Sequence, residues 1–176
     1  MYTYEMELIN EVNAVNAASC LKLFEDHFPE VYSYFQPYME VEKLDRFICA
    51  KDDGEIIGAM GVLNNKRPDD FPDGIVEPDY YQFFHLVVHP DHTGQGIATG
   101  IIRTAISLLH GVGAKKIKNH KRENIISRNT FEELGFVLKE FDDEEPDYKW
   151  TYLLDFEGVD FDALETIWSQ YDIRHN

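Results

Sequence analysis

Leu86-Val-Val-His-Pro-Asp-His-Thr-Gly-Gln-Gly-Ile-Ala-Thr99 reads as the end of an apolar strand, a proline turn, a glycine-rich loop and the start of a helix. An apolar stripe at Ile97, Ile101, Ile102, Ala105, Leu108 and Leu109 has the spacing of one buried helical face and predicts the helix. Gly94 and Gly96 fall where it begins. There the first backbone N–H groups have no partner inside the helix, and the macrodipole favours negative charge. Glycine carries no Cβ to hold a ligand off those amides. A phosphate or diphosphate at the helix start is the first expectation.

Several nucleotide-binding loops share this outline. Gly94-Gln-Gly96-Ile-Ala-Thr99 has no third glycine of the dinucleotide fingerprint, and Lys115 and Lys116 stand about 20 residues on, where that fold needs a ribose-binding acid. The Gly-Lys-Ser/Thr end of a P-loop is absent too. Taken alone, the loop also suits a strand-to-helix turn with no ligand.

The surrounding residues narrow the choice. Val88-His-Pro-Asp-His-Thr-Gly-Gln-Gly-Ile-Ala98 resembles the cofactor-binding signature of the GNAT family of N-acetyltransferases, an Arg/Gln-x-x-Gly-x-Gly/Ala core after a Val-x-Pro strand end. Gly96 and Ala98 match its Gly-x-Gly/Ala portion. Asn124-Ile-Ile-Ser-Arg-Asn-Thr-Phe-Glu-Glu-Leu-Gly-Phe136 resembles the family's second motif, with Asn124, Ser127, Phe131, Gly135 and Phe136 on its spacing. The likeness runs from Arg46 to Asp155. It implies an α/β (α+β) fold: a mixed, mostly antiparallel central sheet with splayed middle strands, flanked by helices. It also implies acetyl-CoA as co-substrate and an amine acceptor, with direct attack in a ternary complex. A small primary amine is the first acceptor reading. A peptide or protein amine is the second, and a non-catalytic CoA-binding module is the alternative of a different class.

The same resemblance implies the contacts. Pantetheine would insert beside Leu86, Val87 and Val88, where one backbone N–H would polarise the acetyl carbonyl. The loop Thr93, Gly94, Gln95, Gly96, Ile97, Ala98 and Thr99 would take the diphosphate. Asn124, Ser127, Arg128 and Phe131 would add contacts from the second motif. Two departures stand out. Thr93 occupies the usual Arg/Gln position, which removes a cation beside the diphosphate. Phe131 occupies the position of a Tyr that protonates the departing sulfur in many members. That proton is then supplied elsewhere, with Tyr80, Tyr81, Tyr148, Tyr152 or water as candidates.

His85 is the first candidate for general base, the one titratable group inside an otherwise apolar strand, with an unperturbed pKa near neutrality. A histidine hydrogen-bonded within the sheet is the plain alternative. Glu77, Asp79 and His120 are its rivals, whereas His89 and His92 read as solvated loop residues. No His/Cys/Asp/Glu set has metal-ligand spacing, and no metal is expected.

The chain of 176 residues suits one domain, 1–176, with 158–176 as a C-terminal helical extension carrying Phe161, Leu164, Ile167, Trp168 and Tyr171. That helix packs either on its own domain or on a second subunit in a homodimer. Net charge is −17, from 33 acidic against 16 basic residues, the wrong sign for nucleic-acid binding. An acidic surface favours solubility and attracts cationic acceptors. Against this background Lys115, Lys116, Lys118, Lys121, Arg122 and Arg128 crowd one stretch. They read as partners for the cofactor's phosphates or as a solvated face. No segment reaches the ~20 apolar residues of a membrane span, and no secretory leader opens the sequence. Cys20 and Cys49 read as buried free thiols, which makes the cytoplasm the expected compartment.

Along the rest of the chain, Tyr2–Ile9 is a first strand and Asn13 caps a helix through Val15, Ala18, Leu21 and Phe24. Glu30–Phe35 forms a second short helix. In the family the first helices wall the acceptor side, which makes Phe28, Tyr32, Tyr34, Phe35 and Tyr38 pocket candidates, with core or helix packing as the plain alternative for most of them. Asp52-Asp-Gly-Glu55 predicts a hairpin. The loop from Asn64 to Asp79 carries the acids Asp69, Asp70, Asp73, Glu77 and Asp79. Asp142–Asp147 is an acidic turn between the last two strands.

Overall fold

Asp53 and Gly54 reverse the chain with φ of 47° and 87°, the left-handed pair of a two-residue hairpin turn. The computed structural model describes residues 2–8, 15–30, 32–33, 44–64, 79–121, 128–141 and 150–174. Seven strands are β1 (Thr3–Leu8), β2 (Leu44–Asp52), β3 (Glu55–Asn64), β4 (Tyr80–Val88), β5 (Lys116–Lys121), β6 (Val137–Phe141) and β7 (Trp150–Asp155). Among the described residues lie the helices α1 (Val15–His27), α2 (Ile97–Gly111), α3 (Arg128–Glu133) and α4 (Phe161–Arg174). The sheet order is β1-β2-β3-β4-β5-β7-β6. β4 and β5 run parallel and the other neighbours antiparallel. α2 makes the crossover that a parallel pair requires.

Each face of the sheet is covered. On one, Met60, Val62 and Phe83 pack with Ile97, Ile101, Ile102, Ala105, Ile106 and Leu109 of α2. On the other, Phe47, Cys49, Ala59 and Leu63 meet Ala17, Cys20, Leu23 and Phe24 of α1. The α2 stripe differs from the sequence reading at one place, because Ile106 is buried and Leu108 only half-buried. At about 100° per residue Ile106 projects just beyond Ile102 while Leu108 falls on the Ile97 side, so toward its C-terminal end the buried face of the helix turns to the Ile102–Ile106 side.

α4 packs on its own domain. Leu164 and Trp168 are buried in the α2-side core, and Phe161 stacks on His110 at 4.1 Å. Gly135 ends the turn after α3 with φ 90°, and a Cβ there would meet Leu164 at 3.1 Å. Edge strand β1 is tied to β2 by Lys51 Nζ, 2.6 Å from Glu5 Oε2, which holds that carboxyl below its ordinary pKa. Cys20 and Cys49 are buried free thiols. Among the described residues no helix is long and apolar enough to cross a membrane. Asn13, Tyr34, Phe35, Tyr38, the acids at 69, 70, 73 and 77, and the turn 142–147 lie outside the described residues.

Candidate functional site

The site is built by a change of register in β4. Gly61 of β3 faces Phe84 and Met60 faces Leu86, so His85 is the extra residue of a β-bulge, with φ 43°. On the opposite edge, β4 and β5 pair from Tyr80↔Lys116 to Phe83↔Asn119, and there the ladder stops. The bend and the parting of the strands occur at the same level. This is the splayed middle pair expected from the sequence.

Beyond Val88 the chain is pinned by the His89 N–H donating to Ile57 O at 2.7 Å. Pro90 opens a single 3-10 turn, Pro90–His92, whose fixed φ suits a helical start. Thr93 Oγ1 donates to Pro90 O at 3.1 Å. Gly94 and Gly96 both have φ 75°, and a Cβ at either would meet nothing within 4 Å. Gly96 is the N-cap of α2 and has no side chain to occupy the helix's first amides. The loop therefore offers open backbone donors at the positive end of a 15-residue helix.

A cavity of about 600 Å³ connects these parts. Of the sequence-predicted residues, His85, Leu86, Val87, Val88, Thr93, Gly94, Gly96, Ile97, Ala98 and Thr99 line it, with Phe28 at the end of α1. Two further residues, His92 and Thr130, complete the described lining. Thr130 is a functional-site residue that the sequence reading does not name. The only signal for it is its place on the second-motif helix.

Other candidates fall elsewhere. Gln95 turns toward β1, where its Oε1 accepts from the Tyr2 hydroxyl and its Nε2 donates to Asp91 O at 3.4 Å. Phe131 is 3% exposed and packs in the core against Phe136 and Tyr152. Tyr81 and Tyr152 are likewise buried in that core. Asp79 stands just before β4, six residues before His85, roughly 20 Å along an extended strand. Its carboxylate is 3.2 Å from Lys115 Nζ. Because β5 is parallel to β4, Lys115 and Lys116 share that distant end and cannot meet a ligand in the cavity. His120 lies on β5 one residue past the last β4–β5 pair, and its side chain, with those of Lys121 and Arg128, lies outside the described residues. Glu77, Arg122, Asn124, Ser127 and Tyr148 also lie outside them.

His89 and His92 are half-buried rather than solvated. The ring of His27, at the end of α1, meets that of His89 edge-on at 4.3 Å, and His92 follows at 5.7 Å. His89 Nδ1 accepts from the Asp91 N–H at 3.2 Å.

Residues 12–136 match the sequence model of the Acetyltransferase (GNAT) family. The chain belongs to that family. No curated protein matches it in sequence. Among solved structures, a GNAT acetyltransferase of Brucella melitensis in complex with acetyl-CoA is 16% identical, with TM-score 0.60 over 88% of each chain. A GNAT N-acetyltransferase of Escherichia coli in complex with CoA is 14% identical, with TM-score 0.65 over 93% of this chain and 84% of that one. The ribosomal-protein-S18-alanine N-acetyltransferase of Escherichia coli is 15% identical, with TM-score 0.58 over 87% of this chain and 94% of that one. At such identities the likeness is one of fold.

Proposed function

We propose that this GNAT chain transfers the acetyl group of acetyl-CoA to a primary amine of a small molecule, by direct attack in a ternary complex. The observation that carries the reading is the continuous cavity from the left-handed glycines of the loop, along the parted end of β4, to His85 at the bulge. Amides of Gly94 to Thr99 hold the diphosphate. The β4 edge at Leu86, Val87 and Val88, past the last pairing with β5, receives the pantetheine arm, and an N–H there polarises the acetyl carbonyl. Asn124, Ser127 and Arg128 contribute from the second motif.

Acylation needs a neutral amine, so an ammonium must lose a proton before its nitrogen forms the new bond. His85 accepts that proton in this reading, and Glu77 and His120 are the alternatives. As the thioester bond breaks, the sulfur takes up a proton. With Phe131 in the core, that proton comes from solvent or from the protonated base.

Incubation with acetyl-CoA and a panel of small amines, peptide N-termini and lysine peptides tests the reading by release of free thiol. Release with a small amine supports it. Release only with peptides moves the acceptor to a protein amine, the class acted on by the S18 enzyme of similar fold. CoA binding without release on any acceptor leaves a binding module.

A further inference from the structure

We infer that His92 is a side-chain ligand for the cofactor's diphosphate, supplying the contact that Thr93 cannot make. The inference rests on the acetyl-CoA reading above. His92 closes the turn that delivers the chain into Gly94 and Gly96, and it lines the same cavity. Its backbone is fixed, with the N–H donating to His89 O at 2.9 Å and the next N–H reaching Pro90 O at 3.4 Å. The ring therefore sits where the loop is pinned.

Its two nitrogens are unequal. Nδ1 is enclosed by protein and has no hydrogen-bond partner. An enclosed N–H without an acceptor is costlier than an enclosed bare lone pair, so the tautomer with its proton on Nε2 is favoured. His92 is half-buried and lines the cavity, and with Nδ1 enclosed, Nε2 is the ring nitrogen left to donate to a ligand there.

The two polar side chains nearest His92 on the way into the helix are already engaged. Thr93 donates to Pro90 O, and Gln95 is held between Tyr2 and Asp91. No Lys or Arg is among the described residues lining the cavity. His92 is left as the imidazole that both follows the proline turn and faces the glycines. A neutral donor to an anionic oxygen is a charge-assisted hydrogen bond, the strong kind.

Calorimetric titration separates this role from simple packing. CoA and pantetheine, which shares the thiol arm but has no diphosphate, are each titrated into wild type, His92→Phe and His92→Gln. We expect His92→Phe to weaken CoA about tenfold and to leave pantetheine unchanged. His92→Gln, which keeps an N–H donor, should stay within about threefold of wild type for CoA. Wild-type CoA affinity in His92→Phe overturns the inference. So does an equal loss for CoA and pantetheine, the mark of damaged packing. Wild type that fails to bind CoA at all overturns the reading of the site itself, visible before any variant is made.

Discussion

Phe131 and Tyr152 stack nearly face to face, ring centroids 5.1 Å apart and planes 20° from parallel. Phe136 closes the edge of Phe131 at 5.4 Å. The motif position that resembles a sulfur-protonating Tyr is therefore a core ring in this chain. Phe131→Tyr adds an oxygen to a close-packed site and should cost about 1 kcal/mol, lowering the melting temperature by roughly 2–4 °C. Initial rates of acetyl transfer should not rise. A raised maximal rate with unchanged acetyl-CoA affinity would show that the hydroxyl reaches the sulfur.

Gly96 separates binding from folding. Its left-handed φ and the empty space beside it mean that a new side chain projects into open volume, not into the core. Gly96→Glu should retain the fold with a conformational penalty of about 1–2 kcal/mol for a side chain at a left-handed φ. Acetyl-CoA binding should fall more than about a hundredfold, because a carboxylate enters the site meant for the diphosphate. Thermal unfolding and calorimetry on the same preparation check both parts. A folded variant with unchanged affinity would remove the loop from the cofactor site.

Gly100 gives the opposite outcome. A Cβ there would stand 2.2 Å from the Tyr4 hydroxyl oxygen and 2.4 Å from its Cζ, so α2 and β1 touch where only hydrogen fits. Gly100→Ala, though normally favourable in a helix interior, should destabilise by about 1–3 kcal/mol. The displaced β1 should also loosen the Tyr2–Gln95 contact and weaken acetyl-CoA modestly. Tyr4→Leu in the Gly100→Ala background should recover part of the melting temperature. A single variant as stable as wild type would contradict this packing.

The parts that were legible in the sequence are the local ones. Gly94 and Gly96 and the apolar stripe of α2 lie within one turn-and-helix segment, and Asp53-Gly54 fixes its own hairpin. The parting of β4 and β5 follows from the resemblance carried by the loop and the second motif together, not from either strand alone. His85 stood out as a polar break in an apolar strand. That it occupies a bulge depends on pairing with Gly61 and Met60, residues far away in the chain. His92 reads as solvated in the sequence, yet its ring meets that of His89, which in turn meets His27 at the end of α1, and Phe28 from beyond α1 lines the same cavity. Asp79 looked close to the site because it precedes the right strand, but a strand of nine residues carries its two ends far apart.

The bulge makes His85 the sharpest mechanistic test. Its ring contacts that of Phe84 edge-on at 4.3 Å, and it lines the cavity together with Phe28. A left-handed conformation is unusual for a residue with a side chain, although histidine tolerates it better than most. His85→Gln preserves polarity and approximate size while removing the base. If the imidazole accepts the amine's proton, the maximal rate should fall by about 10²-fold or more, with acetyl-CoA affinity retained. The acidic limb of the pH–rate profile should flatten as well. In wild type, activity there declines as the imidazole becomes protonated and can no longer accept, so the limb rises with pH, and a glutamine has no such titration. A His85→Gln profile matching wild type in height and shape would exclude His85 as the base. Glu77→Gln and His120→Gln would then be the next variants, whereas Asp79, paired with Lys115 at the far end of β4, would not.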